Sequence, residues 1–182
     1  SVIAKLDSYG SNFKMIDGTK LVPTDPTSIM LLNSGMYIVN GQYNVEDVNV
    51  NAASITFTLT STPTNIDGPS VTSTPDDADA TMYALNYENT YYPYFFDKNT
   101  LILPAVFHFK NSSVSTELEA ELKKHKFILS YDAEKVAEGG ETLDLYVNHI
   151  ITEDKDETRT SYTVSYQAYD LSSVLHLSLI HI

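Results

Sequence analysis

The sequence predicts an all-β protein with room for one short helix: a small OB-type barrel followed by an antiparallel β-sandwich. Three observations lead there. In the stretch 143–151, Leu143, Leu145, Val147 and Ile151 share one face while Asp144, Tyr146 and Asn148 share the other. A period of two is the signature of a half-buried strand. The same period returns at Tyr162, Val164, Tyr166 and Ala168, so 142–169 reads as a long antiparallel hairpin closed by the acidic run 152–159. Elsewhere, short apolar runs are separated by Gly, Pro, Asn and Asp, which is the spacing of strands and turns.

Taken in order, Val2–Leu6 is an apolar strand candidate, and Tyr9-Gly10-Ser11-Asn12 turns into Phe13–Ile16. Asp17-Gly18 then sits between two extended runs, a strong hairpin signal when both turn residues accept positive φ. Pro23 and Pro26 end that pairing. Gly35–Val45 is extended, with Gly41 where a bulge or bend is expected, and Ser54–Thr60 alternates throughout. Short strands this close together suit a small closed barrel over 1–67. Residues 68–77 carry Pro69, Pro75 and Gly68 and few apolar side chains, and read as a linker.

The sandwich is expected over 78–176. Its first part is aromatic, with Tyr83, Tyr87, Tyr91, Tyr92, Tyr94, Phe95 and Phe96. Leu101–Phe109 follows as a long β run whose Pro104 implies an edge position or a bulge. A helix begins near Ser115 or Thr116, where Thr116 and Glu119 have capping-box spacing and Lys123 and Lys124 suit the C-terminal end of the dipole. Residues 177–182 match what one reading frame of a sequencing adapter encodes, so a non-native tail on a metagenomic fragment is expected there.

Composition sets outer bounds. The 182 residues are 42% hydrophobic, enough for one or two cores. No apolar run is long enough for a transmembrane helix. The net charge of −13 speaks against nucleic acid and against Lys- or Arg-driven lipid binding, both of which need clustered cations. With no cysteine there is neither a disulfide framework nor a thiolate site. The chain opens on Ser1, as a processed protein or a fragment does.

The segments His125–Ser130, Leu143–His149 and Tyr166–Leu171 resemble the C-terminal sandwich of NigD-like proteins, and Asp17–Pro23 with Gly41-Gln42-Tyr43 resembles their N-terminal OB-type domain. The likeness spans most of 1–175. It implies an exported envelope lipoprotein without enzymatic activity, its lipobox cysteine upstream of Ser1 and a further strand after Leu175. The expected membrane association is then through a lost lipid anchor, and the expected partner is a protein or glycan at the cell envelope.

Chemistry is sparse. There is no Gly-x-Ser-x-Gly elbow and no phosphate-cradling glycine loop. His108, His125 and His149 lack the close spacing of a metal site, and His149, in register with Val147 and Ile151, is expected to be hydrogen-bonded and partly buried. Asp76, Asp77 and Asp79 form one acidic cluster; Asp154, Asp156 and Glu157 in the second offer hard oxygens for Ca²⁺, against the ordinary reading of a solvated loop. Tyr91, Tyr92 and Tyr94 are the candidate ligand-binding residues, for a sugar or a partner, against ordinary sheet packing. The functional expectation is a binding or interaction module, with a carbohydrate-binding or adhesin-like module as the alternative.

Overall fold

The computed structural model describes residues 1–73, 80–85, 87–137 and 143–175. It is all-β, with short helices at Ser115–Lys123 (α1), Ala133–Ala137 (α2) and Ser172–Leu175 (α3). Among the described residues, no helix is long and apolar enough to cross a membrane. The chain divides into two compact units, Ser1–Asp67 and Gly68–Ile182. Residues 177–182, the expected tail, lie outside the described residues.

The first unit contains β1 (Val2–Leu6), β2 (Phe13–Lys14), β3 (Lys20–Pro23), β4 (Gly35–Val39), β5 (Gly41–Gln42), β6 (Val48–Asn49), β7 (Ser54–Leu59) and β8 (Thr64–Asn65). They form one sheet in the order β5-β7-β3-β2-β1-β4-β8, with β6 also on β7. It curls into a half-barrel, and the end strands β5 and β8 are not paired with each other. Alternation explains the curl's contents: Ala4, Leu6, Phe13, Leu21, Tyr37, Val39 and Phe57 all turn inward and form its core. Pairing is antiparallel except between β3 and β7.

Two glycines set local geometry. The Asp17-Gly18 turn is real, but only Gly18 has positive φ, at 88°. Gly18 N–H donates to the Met15 carbonyl at 2.9 Å and Met15 N–H to the Thr19 carbonyl at 2.9 Å. That is a three-residue loop with a bulged glycine, not the two-residue turn the dipeptide suggests. At Gly41, a Cβ would stand 2.3 Å from Phe57 Cδ2, so the backbone must bend past that ring.

The second unit contains β9 (Tyr94–Asp97), β10 (Thr100–Phe109), β11 (His125–Tyr131), β12 (Leu145–Ile151) and β13 (Ser161–Asp170). One sheet has the order β13-β10-β9 and a second pairs β11 with β12. Leu101, Leu103 and Tyr169 from the first meet Leu129 from the second, and Ala105 and Phe107 meet Phe127, so the sheets face each other across these clusters.

The expected hairpin over 142–169 does not form. The strand β12 pairs with β11, from Tyr131 opposite Leu145 to His125 opposite Ile151, whereas β13 pairs with β10 over ten residues. The residues between them cross from one sheet to the other instead of closing a turn. Thr152 N–H is taken by the Lys124 carbonyl at 2.9 Å, which carries the chain toward α1. Both strands have the right period, but period two says nothing about the partner.

The stretch 68–77 also departs from a free linker where it is described. Gly68 N–H donates to the Ala168 carbonyl at 2.8 Å, and Thr72 exchanges bonds with β11 through the Leu129 carbonyl and Tyr131 N–H. Gly68 is required there, because a Cβ would lie 2.7 Å from the Tyr169 ring. Pro104 lies in the middle strand, yet at a local edge. On that side β9 reaches only Thr100–Ile102, and the next contact is the bridge between Ala84 and Val106. The missing proline N–H falls in the gap between them.

Candidate functional site

Alternation gives β10 two unlike faces. Leu101, Leu103, Ala105 and Phe107 face the second sheet, so Ile102, Pro104, Val106 and His108 face the other way, with Ala168, Tyr166, Val164 and Tyr162 opposite them on β13; of these Ile102, Pro104, Val106 and Ala168 are buried as well. Residues 83–94 supply further tyrosines to this outer face. Tyr83 stacks on Tyr162 at 5.5 Å with rings 8° from parallel, and meets His108 edge-on at 5.2 Å. Tyr87 leans on Tyr162 at 5.9 Å and Tyr91 on Tyr166 at 6.4 Å.

Tyr87 and Tyr91 are placed by a tight turn. They bridge each other, and Glu88 and Asn89 between them have φ of 51° and 55°. Two successive left-handed residues make a turn whose twist suits paired strands. The Tyr87 phenol is held well above its usual range by its hydrogen bond to Tyr162, with Glu88 adding to the effect. Tyr83, Tyr92 and Tyr162 are 49%, 54% and 53% exposed, large values for aromatic side chains in contact.

The expected trio is thus only partly a surface. Tyr92 is exposed, but it meets Tyr94 at 63° and 6.4 Å, while Tyr91 and Tyr94 are half-buried. Tyr91, Tyr92 and Tyr94 are not coplanar on one face. The fold adds Tyr83, Tyr87 and Tyr162, whose separation in sequence hid the grouping.

A second cluster is buried. Glu121, at 4% exposed, accepts the Arg159 Nε–H at 2.7 Å and the Lys110 backbone N–H at 3.1 Å, and its other oxygen lies 3.3 Å from Lys124 Nζ. Burial alone would push its carboxyl up. The Lys110 N–H and the Arg159 guanidinium outweigh that and hold it at about 2. His125 Nε2 is 3.4 Å from the same oxygen, and His125 Nδ1 is 2.9 Å from His149 Nε2. The His149 Nδ1–H donates to the Thr81 carbonyl at 3.0 Å. Burial pushes His125 below its ordinary value. Phe107 and Phe127 close over both rings.

The carboxylates expected as Ca²⁺ ligands are dispersed. Asp154 pairs with Lys124 at 2.6 Å, Glu157 with Lys110, and Asp156 is exposed. The loop's carbonyls turn inward instead: those of Glu153, Asp154 and Glu157 accept from the Arg159 guanidinium at 3.5, 2.9 and 3.2 Å. A guanidinium occupies the centre of the loop's oxygens. Among the described residues no group of three or more His, Asp or Glu could hold a metal ion. Asp76, Asp77 and Asp79 lie outside the described residues.

The first unit has an open cleft of about 590 Å³ lined by Gly41, Gln42, Tyr43, Asn44, Asp47 and Thr58. Among the described residues its lining carries amides, a phenol, a hydroxyl and a carboxylate. That carboxylate already accepts Asn44 N–H at 2.8 Å.

Glu121 and Arg159 carried no separate signal in the sequence. Glu121 and His125 do stand four apart, the spacing of neighbours on a helix face, but His125 has already left α1 for β11. The expected capping box at Thr116 is absent; Val114 is the cap residue, and Ser112 Oγ accepts Val114 N–H at 3.0 Å while donating to Glu117 at 2.7 Å.

No protein-family model matches the chain, and no curated protein does. Among solved structures it is similar to a "Putative lipoprotein" from Bacteroides fragilis NCTC 9343, with 26% identity and a TM-score of 0.83 over 97% of this chain and 79% of that one. An uncharacterized protein from Parabacteroides merdae ATCC 43184 is 15% identical with a TM-score of 0.54, over 97% of this chain and 79% of that one. The second likeness concerns the fold alone. This chain therefore shares its all-β fold with proteins solved from Bacteroides and Parabacteroides.

Proposed function

We propose that the chain belongs to an exported, NigD-like envelope protein that acts without catalysis as a binding module. The observation that carries this reading is the tyrosine strip on the outer face of the β9-β10-β13 sheet. Half-exposed tyrosines bring large, rigid area with a polar tip, which is the chemistry of a contact surface. The envelope location rests on the likeness to the Bacteroides fragilis protein. The buried ionic cluster supports the non-enzymatic reading, since Glu121, His125 and His149 are closed off from solvent.

The partner is a protein or a glycan at the envelope. A neutral glycan is the second reading, favoured by the grouping of phenol rings: Tyr83, Tyr87 and Tyr162 offer ring faces and hydroxyls to a sugar. Two experiments test these readings. Expressing the whole gene in a Bacteroides host and fractionating it should return the protein with membranes; recovery in the cytoplasm would overturn the envelope reading. Screening a glycan array and an envelope extract with this chain and with its Tyr83→Ala/Tyr162→Ala variant should show binding that the variant loses. Binding of equal strength by the variant would remove the strip from the function.

A further inference from the structure

The described residues place a hydrogen-bonded chain through the second unit: Thr81 carbonyl, His149, His125, Glu121 carboxylate. Both ends are acceptors, because a carbonyl and an ionised carboxylate have no hydrogen to give. The chain has three links, so it needs three N–H hydrogens on two imidazoles. Two neutral imidazoles carry two.

The count does not depend on which ring is called charged. One hydrogen must lie on His149 Nδ1, one between the rings, and one on His125 Nε2. With only two, one link faces lone pair to lone pair. The links measure 3.0, 2.9 and 3.4 Å, and the longest is the one to Glu121. An N–H bond to a carboxylate is ordinarily shorter than that.

We propose that His125 and His149 act as one titratable unit that binds a single shared proton, and that this proton closes the link between β11 and Glu121 of α1. The rings stack at 5.1 Å and 25°, which keeps both nitrogens of the middle link in line. Among the described residues, the charged groups around the pair include Glu121 and Lys124 of α1, and Arg159 and Asp154 of the loop before β13. Phe107 of β10 and Phe127 of β11 contribute only apolar surface. Burial disfavours the proton and Glu121 favours it, with burial prevailing, so the link closes on acidification.

The test is a proton inventory. Chain labelled with ¹⁵N-histidine is titrated from about pH 8 to pH 4 and followed by long-range ¹H–¹⁵N correlation, which reports each ring nitrogen separately. The expected result is one proton taken up by the two rings together. His149 Nδ1 stays protonated throughout, and His125 Nε2 gains its hydrogen at the acid end. Two independent one-proton titrations, or none in this range, would overturn the proposal.

Glu121→Gln sharpens it. The uncharged amide oxygen still accepts from Arg159 and Lys110 but no longer favours a charged imidazole beside it, so protonation should become about tenfold harder. An unchanged midpoint in a folded variant would also overturn the proposal. Should that variant fail to fold, the inventory on the unaltered chain still decides.

Discussion

The tyrosine strip and the Glu121 cluster belong to one unit and are both built from polar side chains, yet burial divides them. In the strip, Tyr83, Tyr92 and Tyr162 remain about half exposed, so few of their contacts are compulsory. In the cluster, Glu121 and His149 are 4% and 2% exposed, and each polar atom depends on a neighbour fixed by the fold. No buried side-chain nitrogen or oxygen among the described residues lacks a hydrogen-bond partner. A buried charge is tolerated only when it is paired, whereas an exposed ring is free to pair elsewhere. One region therefore reads as support and the other as surface.

Removing a partner should expose that difference most strongly. Arg159→Met keeps bulk but takes the guanidinium from Glu121 Oε1 and leaves only Lys124, at 3.3 Å from the other oxygen, and should cost about 3–5 kcal/mol in urea denaturation. A loss below about 1 kcal/mol would mean that water reaches Glu121 and that the contrast fails.

Acid should separate the regions next. Unfolded Glu121 protonates near 4.5 and folded Glu121 near 2, so its contribution is complete above pH 4.5 and is lost as pH falls toward 2. The loss should be on the order of 3 kcal/mol. The depressed His125 acts with the same sign in a higher window. The unfolded ring takes its proton first, so stability declines as pH drops below about 6.5. Denaturation midpoints followed from pH 7 to pH 2 should fall in both windows, and in Glu121→Gln the lower one should flatten.

The strip should be more forgiving. Tyr162→Ala removes contacts to Tyr83 and Tyr87 and should lower stability by about 1 kcal/mol while abolishing any ligand binding. A loss of 3 kcal/mol or more, on the order seen for core truncation, would mark the strip as core.

The smallest effects should come from the loop's outer ion pairs. Lys110 and Glu157 are exposed at 57% and 38%, so Lys110→Ala should change stability by less than about 0.5 kcal/mol. Millimolar Ca²⁺ should leave the melting temperature within about 1 °C, because a guanidinium already fills the loop's centre. A rise of several degrees would restore Asp154, Asp156 and Glu157 as ligands.

Much of the fold was legible along the chain. The strand at Val2–Leu6, the turn at Asp17-Gly18 and the helix near Ser115 all appear where local patterns put them. The hairpin failed because alternation names a strand's faces and not its neighbour: β12 and β13 are adjacent in sequence, but β11 and β10 take them. The capping box failed for a local reason, since Ser112 already serves the helix start. Of the site, Tyr91, Tyr92 and Tyr94 were visible as a dense aromatic run, while Tyr162 and Tyr166 read, with Val164 and Ala168, as the apolar face of a strand.

By itself the sequence determined the all-β class, the two faces of each strand and the strongly negative surface, because backbone pleating and side-chain charge are properties of neighbouring residues. It also made His149 a buried, bonded histidine through its register with Val147 and Ile151. Only the tertiary structure decided which glutamate would be buried. Arg159 reaches Glu121 across 38 residues and His149 reaches His125 across 24. Contacts at that distance depend on strand pairing, and pairing is settled by packing between sheets rather than by any pattern within one strand.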